Sequence, residues 1–328
     1  MAVKEHINEY FNGQSFMILC ALALIVATAV ALLMGVQPVQ VGSTGLLFSL
    51  KGSLFEAGAL SAAINVLCLF VMGGIMMALN KVFSYIRSVT HLFVSAFFLL
   101  QMAHPAGLVS FNVGTLLGLV TVMLILPLFA SYQDRHCQRN IFLVFAAISA
   151  GSMFHYGFLV LIPAFLLGFI NMGVFNLKGL LAMLFGLITP FWITLGMGIA
   201  KPADFVLPQI DVVWNLTGQS VVGLMHLLAL LIAVTGVVLA VMNLMTIMNY
   251  RMQTRVYNAF MVFALVIAVI SLCVDFGNVA VYLTLLCIMV AVQIAHTHTL
   301  RTSPFRYLLM LLLIAGCLGF YAANLLYP

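Results

Sequence analysis

Runs of mostly apolar residues, about 20 long, follow one another along the whole chain and are parted by short polar breaks. The pattern predicts membrane helices over 15–35, 57–79, 88–103, 108–131, 140–154, 157–174, 179–199, 219–243, 256–274, 278–295 and 306–326. The stretch 140–174 is interrupted only by His155 and Tyr156. As one helix at 1.5 Å per residue it would run to about 50 Å, against a hydrocarbon core of about 30 Å. Two short helices are therefore expected there. The His104-Pro105-Ala106-Gly107 turn divides the preceding pair in the same way. The expected fold is an all-α, polytopic transmembrane bundle of about eleven helices, a single integral membrane domain over 1–328. Residues 1–199 form a seven-helix module with an outer loop at 36–56, and 200–328 form an outer loop at 200–218 followed by four helices.

Composition removes the competing class. Of 328 residues, 65% are hydrophobic and 6% are charged, whereas a soluble domain carries roughly a quarter charged residues, so a water-soluble protein is excluded. The net charge of +5 does not point to nucleic acid, because the basic residues are scattered in ones and twos. Their distribution instead reports topology. With the N-terminus in the cytoplasm, Lys4, Lys81, Arg87, Arg135, Arg139, Lys178, Arg251, Arg255, Arg301 and Arg306 fall inside, and only Lys51 and Lys201 fall outside. One helix more or fewer would destroy that bias. Pro328 is then outside, and the first apolar segment, with no small-residue cleavage pattern after it, reads as a retained signal anchor.

Two outside segments exceed a turn. Leu46, Leu47, Leu50, Leu54 and Phe55 are spaced so that several share one face, which predicts an interfacial helix within 36–56. The second loop carries Pro202, Asp204, Pro208, Asp211 and the belt aromatic Trp214. Leu47, Phe55, Trp214 and His226 are the candidate contacts to lipid or to a partner. No internal repeat divides the chain into the equal halves of many transporters.

Chemistry has few carriers. The six cysteines show no CxxC spacing and read as small buried hydrophobes, and neither His136-Cys137 nor His296-x-His298 supplies a metal site. The latter pair reads as a cytoplasmic helix end, where His complements the dipole. Asp275-Phe276-Gly277 is a hairpin turn, and Asn215-Leu216-Thr217 matches the glycosylation triplet by a pattern common by chance. No Asp, Glu, Lys or Arg stands at mid-depth, as a proton-coupled pump or carrier of charged solutes would require, and within the helical cores only His226 is ionisable without an obvious interfacial location, although His91 lies near the inner end of the third helix. Glu56, His104, His155, Asp204, Asp211, His226 and Asp275 all fall at or near the outer surface. Among these, Glu56, Asp211 and His155 are the candidate acid and base groups, since general acid–base work needs such groups within reach of one substrate. No metal or other cofactor is called for.

From Asn80 to Ala200 the chain resembles a family of uncharacterised polytopic inner-membrane proteins of Gram-negative bacteria. The likeness lies in the Arg135 to Arg139 turn, the short helices around Phe154-His155-Tyr156, and Thr189-Pro190-Phe191-Trp192-Ile193. It implies location in the bacterial inner membrane and carries no activity. In layout, the seven helices, the long first outer loop and the second outer loop after helix seven resemble the C-type glycosyltransferases, which use polyprenyl-phosphate sugars. Those enzymes place an essential acid early in the first outer loop, whereas residues 36–55 here contain no Asp or Glu and Glu56 comes only at the edge of the second helix.

Three function classes follow. A binding or scaffold subunit of an envelope complex needs only lipid- and protein-facing surface and explains the lack of mid-membrane charge. A transferase acting on a lipid-linked sugar at the periplasmic face would use the outer acids. A transporter would carry a neutral or lipidic solute. The expected partners are membrane lipids and other membrane proteins, with no nucleic acid.

Overall fold

The computed structural model describes residues 10–39, 45–48, 56, 58–86, 90–134, 136–208, 223–300 and 305–326. They form α1 (Gln14–Leu33), α2 (Ala59–Phe83), α3 (Leu92–Met102), α4 (Val113–Ala130), α5 (Gln138–Phe154), α6 (Leu161–Asn171), α7 (Leu177–Gly196), α8 (Leu224–Ile247), α9 (Met252–Val274), α10 (Val279–Leu300) and α11 (Phe305–Leu326). No strand occurs among the described residues. Each apolar stretch read from the sequence holds one of these helices, with ends displaced by no more than five residues. Eight helices are long and apolar enough to cross a membrane.

The bundle is organised around α10. Apolar nearly all round, α10 is buried from Val279 to His298 and packs against α8, α4, α3 and α9. Its neighbour α3 spans only 11 residues, about 17 Å, and could not cross a bilayer alone. All eleven are buried. Helix ends at membrane depth are tolerated where protein surrounds them. The expected break at 155 is present: His155 is extended, and a 3-10 turn over Tyr156–Val160 leads into α6.

Periphery contrasts with centre. Helix α7 lies mainly on α5, and Gly179 and Gly186 are its buried residues. A Cβ on Gly186 would stand 2.7 Å from the Phe142 carbonyl oxygen, so the two backbones meet only because that side chain is absent. Ser149 donates across the same seam to the Leu187 carbonyl at 2.6 Å. On the far face Phe185 is 62% and Trp192 76% exposed. Helix α11 is likewise mostly exposed, held in part by the Tyr321 hydroxyl, which donates to the Ala27 carbonyl at 2.7 Å.

Helix ends gather at two opposite ends. At the first, Tyr257 stacks on Phe129 at 4.2 Å and donates to its carbonyl, Phe83 lies edge-on to both rings, and the Asn171 amide donates to the Val256 carbonyl. This end carries Lys81, Arg139, Lys178, Arg251 and Arg255 on or beside its helix termini and is the basic end. At the opposite end, Asn65 on α2 donates to the Gly107 carbonyl, Thr115 on α4 donates to Asn65 Oδ1, and the 155–160 and 275–278 turns meet. Lys201 belongs to this end.

Three expectations change. The described parts of 36–56 are not helical. Leu46 N–H donates to the Ser152 carbonyl, and the Leu47 and Phe48 N–H groups donate to that of Met153. A helix leaves its last carbonyls without intrahelical partners, and this segment supplies the missing donors at the end of α5. Gly45 is needed for the approach, because a Cβ there would collide with the Met153 backbone. The Val206 N–H in turn donates to the Leu46 carbonyl, so both long loops meet here. Second, α10 runs to Leu300 and His296 and His298 are buried, so His226 is not the only ionisable group within the helices. Third, Cys273 is exposed and Cys68 half-buried, so the six cysteines are not all buried, whereas Cys137, packed where α5 begins, is 4% exposed.

Candidate functional site

The carboxylate that turns into the bundle is Asp275. Helix α9 ends there, with the Asp275 N–H donating to the Ser271 carbonyl at 2.8 Å, and a 3-10 turn over Phe276–Asn278 leads straight into α10. So short a connection between antiparallel helices directs the Asp275 side chain inward, and it is 3% exposed. Its Oδ2 accepts from the Tyr156 hydroxyl at 2.7 Å and the Tyr282 hydroxyl at 2.9 Å. Its Oδ1 accepts from Asn278 Nδ2 at 3.0 Å, which also donates to the Tyr156 oxygen at 2.7 Å. Tyr282 lies two helical turns beyond Asp275, whereas Tyr156 comes from the break between α5 and α6.

His155 is fully buried beside this cluster, its ring stacked on Tyr156 at 4.7 Å. Its Nδ1 accepts the Gly157 N–H at 3.0 Å, so that nitrogen carries no proton and the ring's own proton is on Nε2. A Cβ on Gly157 would stand 2.8 Å from Val281 and 3.0 Å from His155 Nδ1, so glycine permits the turn to seat against α10. His226, near the start of α8, lays its ring on Phe276 at 4.4 Å and donates from Nε2 to the Phe276 carbonyl at 3.2 Å. His104, in the turn after α3, is buried with neither ring nitrogen hydrogen-bonded, and burial pushes its pKa down to about 4.

The structure thus brings His155 and His226 to the two sides of the 275–278 turn. Glu56 is exposed just before α2, apart from the buried His155. Leu47 is half-buried against the end of α5, by its backbone, where lipid or partner contact was expected. Asp211, Phe55 and Trp214 lie outside the described residues. Among the described residues no three His, Cys, Asp or Glu side chains are grouped as metal ligands. Asp275, Tyr156, Tyr282 and Asn278 are what sequence reasoning did not assemble. The available signals were the seven-residue spacing from Asp275 to Tyr282 and the tyrosine beside His155.

Chemically the Asp275 cluster is closed. Three donors engage the carboxylate, all neutral and all from the protein, leaving little of its acceptor capacity for the hydroxyl of an incoming substrate. Charge-assisted hydrogen bonds of this kind are about twice as strong as neutral ones, and they clamp the 155–160 connection, the α9–α10 turn and the first turn of α10 together. A second buried cluster lies toward the basic end of α10, Gln293 standing about 17 Å along the helix from Tyr282. There Asn243 Nδ2 donates to the carbonyl and Oε1 of Gln293, Thr297 donates to Asn243 Oδ1, and Gln293 Nε2 donates to Asn258 Oδ1 at 3.3 Å. Between the clusters, α10 from Leu285 to Val292 is apolar and buried. Comparison of the chain with family models, with curated proteins and with solved structures finds no match.

Proposed function

We propose that this chain is a multi-pass protein of the bacterial inner membrane, with its N-terminus in the cytoplasm and Pro328 outside, and that it serves as a binding or scaffold subunit of an envelope complex. The concentration of basic residues at one end of the bundle supports this orientation. The observation that carries the functional reading is the closure of Asp275: the acid drawn into the bundle is committed to clamping three segments and is not presented to a substrate. The exposed apolar face of α7, with Phe185 and Trp192, and the apolar cleft of about 350 Å³ between α3, α8, α10 and α11 supply lateral surface for lipids and neighbouring membrane proteins. The buried apolar middle of α10 argues against a solute path along the bundle axis.

The second reading, a glycosyltransferase-like enzyme acting at the periplasmic face, draws on one observation. Glu56 is an exposed acid at the end where the 45–48 and 200–208 segments meet. Photo-crosslinking from Phe185 and Trp192, together with Glu56→Gln and Asp211→Asn, separates the two. A scaffold gives a discrete crosslink to another membrane protein and tolerates both carboxamides. Carboxamide variants that accumulate normally yet lose a glycan product by about a hundredfold would overturn the scaffold reading, since general acid–base groups supply 10²–10⁴-fold.

A further inference from the structure

At the basic end, a cleft of about 240 Å³ opens between α6, α8 and α9. Its walls include Leu244, Ile247 and Met248, with Asn171, Arg255 and Asn258 as polar members. Asn258 is wholly buried, and its amide is only half used: Oδ1 accepts from Gln293, whereas Nδ2 has no partner. An unpartnered donor at a buried site has lost its hydration with nothing in return, so it marks a place where an acceptor belongs. Arg255 lies one helical turn earlier, half-buried, with its guanidinium resting at 3.4 Å from the Met248 carbonyl oxygen and 3.7 Å from the Met252 sulfur. Both contacts are long and give way readily to a stronger acceptor. No carboxylate lines the cleft among the described residues.

A guanidinium and an amide N–H set in apolar walls fit a group that is anionic at one end and hydrocarbon at the other. The volume lies below the roughly 300–1,000 Å³ of sites for drug-sized ligands, which fits a headgroup and its first methylenes but not a nucleotide. We propose that this cleft binds the phosphate of an anionic phospholipid, with Arg255 and Asn258 as its donors and the chains leaving past the exposed Leu244 into the bilayer. The inference rests on the basic end lying at a membrane surface, which the thiol-labelling experiment in the Discussion tests separately.

The test is native mass spectrometry of the full chain in detergent, titrated with phosphatidylglycerol or phosphatidylcholine. Phosphatidylglycerol should bind at least about tenfold more tightly, and Arg255→Gln should lower that affinity about tenfold or more. Asn258→Asp keeps the acceptor for Gln293 but replaces the donor with negative charge, and should do the same. Arg251→Gln, exposed and outside the cleft, should change affinity less than threefold. Arg255→Gln alone decides the matter should the aspartate variant fail to fold. Equal retention of both lipids, an unchanged Arg255→Gln, or an equal loss in Arg251→Gln from diffuse surface charge would overturn the site. Inorganic phosphate or glycerol 3-phosphate binding as tightly as phosphatidylglycerol would overturn its assignment to lipid.

Discussion

Replacing Tyr282 by Phe removes one hydroxyl from the Asp275 clamp and nothing else. The hydroxyl donates at 2.9 Å to a carboxylate that is 3% exposed, on a tyrosine that is 1% exposed, so water does not replace it. A hydrogen bond to a charged group contributes about 1.5–3 kcal/mol, and Tyr282→Phe should cost that much. Tyr156→Phe removes the 2.7 Å bond and also an acceptor of Asn278 Nδ2, and should cost at least as much. Because both hydroxyls share Oδ2, the survivor can shorten and strengthen when the other goes. The double variant should therefore depart from additivity, by about 0.5–3 kcal/mol. Asp275→Ala takes the acceptor from both tyrosine hydroxyls and should cost more than either phenylalanine, about 2–6 kcal/mol at about 1–3 kcal/mol for each buried donor that loses its acceptor. Reversible unfolding in mixed micelles, followed by circular dichroism as the denaturing detergent fraction rises, measures each difference. A value for Asp275→Ala within 0.5 kcal/mol of the wild type would refute the clamp and reopen Asp275 as a group held for substrate.

For topology, Cys137 is too buried to report sidedness, so in a cysteine-free background His136→Cys should react with an impermeant maleimide only after permeabilisation, and Ala203→Cys should react in intact spheroplasts; the reverse pattern would invert the orientation. For pH, His104 has its folded pKa pushed down to about 4, against 6.5 in the unfolded chain, so between those values the unfolded state binds more protons. Stability should be full above about pH 6.5, fall as the pH drops through that window and level off below it, and His104→Leu should flatten this slope in the same unfolding assay.

Most helices were legible because eight of the described apolar runs are long enough to cross a membrane, and the break at His155 followed from length arithmetic alone. The clamp was not. Asp275 and Tyr156 lie 119 residues apart, and nothing in a turn acid's neighbours along the chain says whether it faces water or a tyrosine across the bundle. Histidine pairs near a helix end read as surface groups, yet His296 and His298 are buried because neighbours enclose α10 from Val279 to His298, a property of those neighbours and not of its own residues. The 45–48 segment misled for a related reason. Leu46 and Leu47 share a helical spacing in the sequence only with Leu50, Leu54 and Phe55, which lie outside the described residues, and the backbone donors of 46–48 are claimed by the carbonyls at the end of α5, which costs less than leaving those carbonyls unpaired.

The enclosure of α10 has a consequence for biosynthesis. The hub against which α3, α4, α8 and α9 pack is next to last among the helices, beginning at Val279. At about 5–20 residues per second, α3 leaves the ribosome roughly 10–40 s before α10 exists, although α1, against which it packs as extensively, is already made. Through that interval an 11-residue helix, too short to cross a bilayer by itself, has α1 but not α10 to pack against. The face of α3 that α10 covers is therefore closed late, after the earlier helices have been made. Nascent chains stalled before Val279 should be the form on which membrane quality-control proteases act.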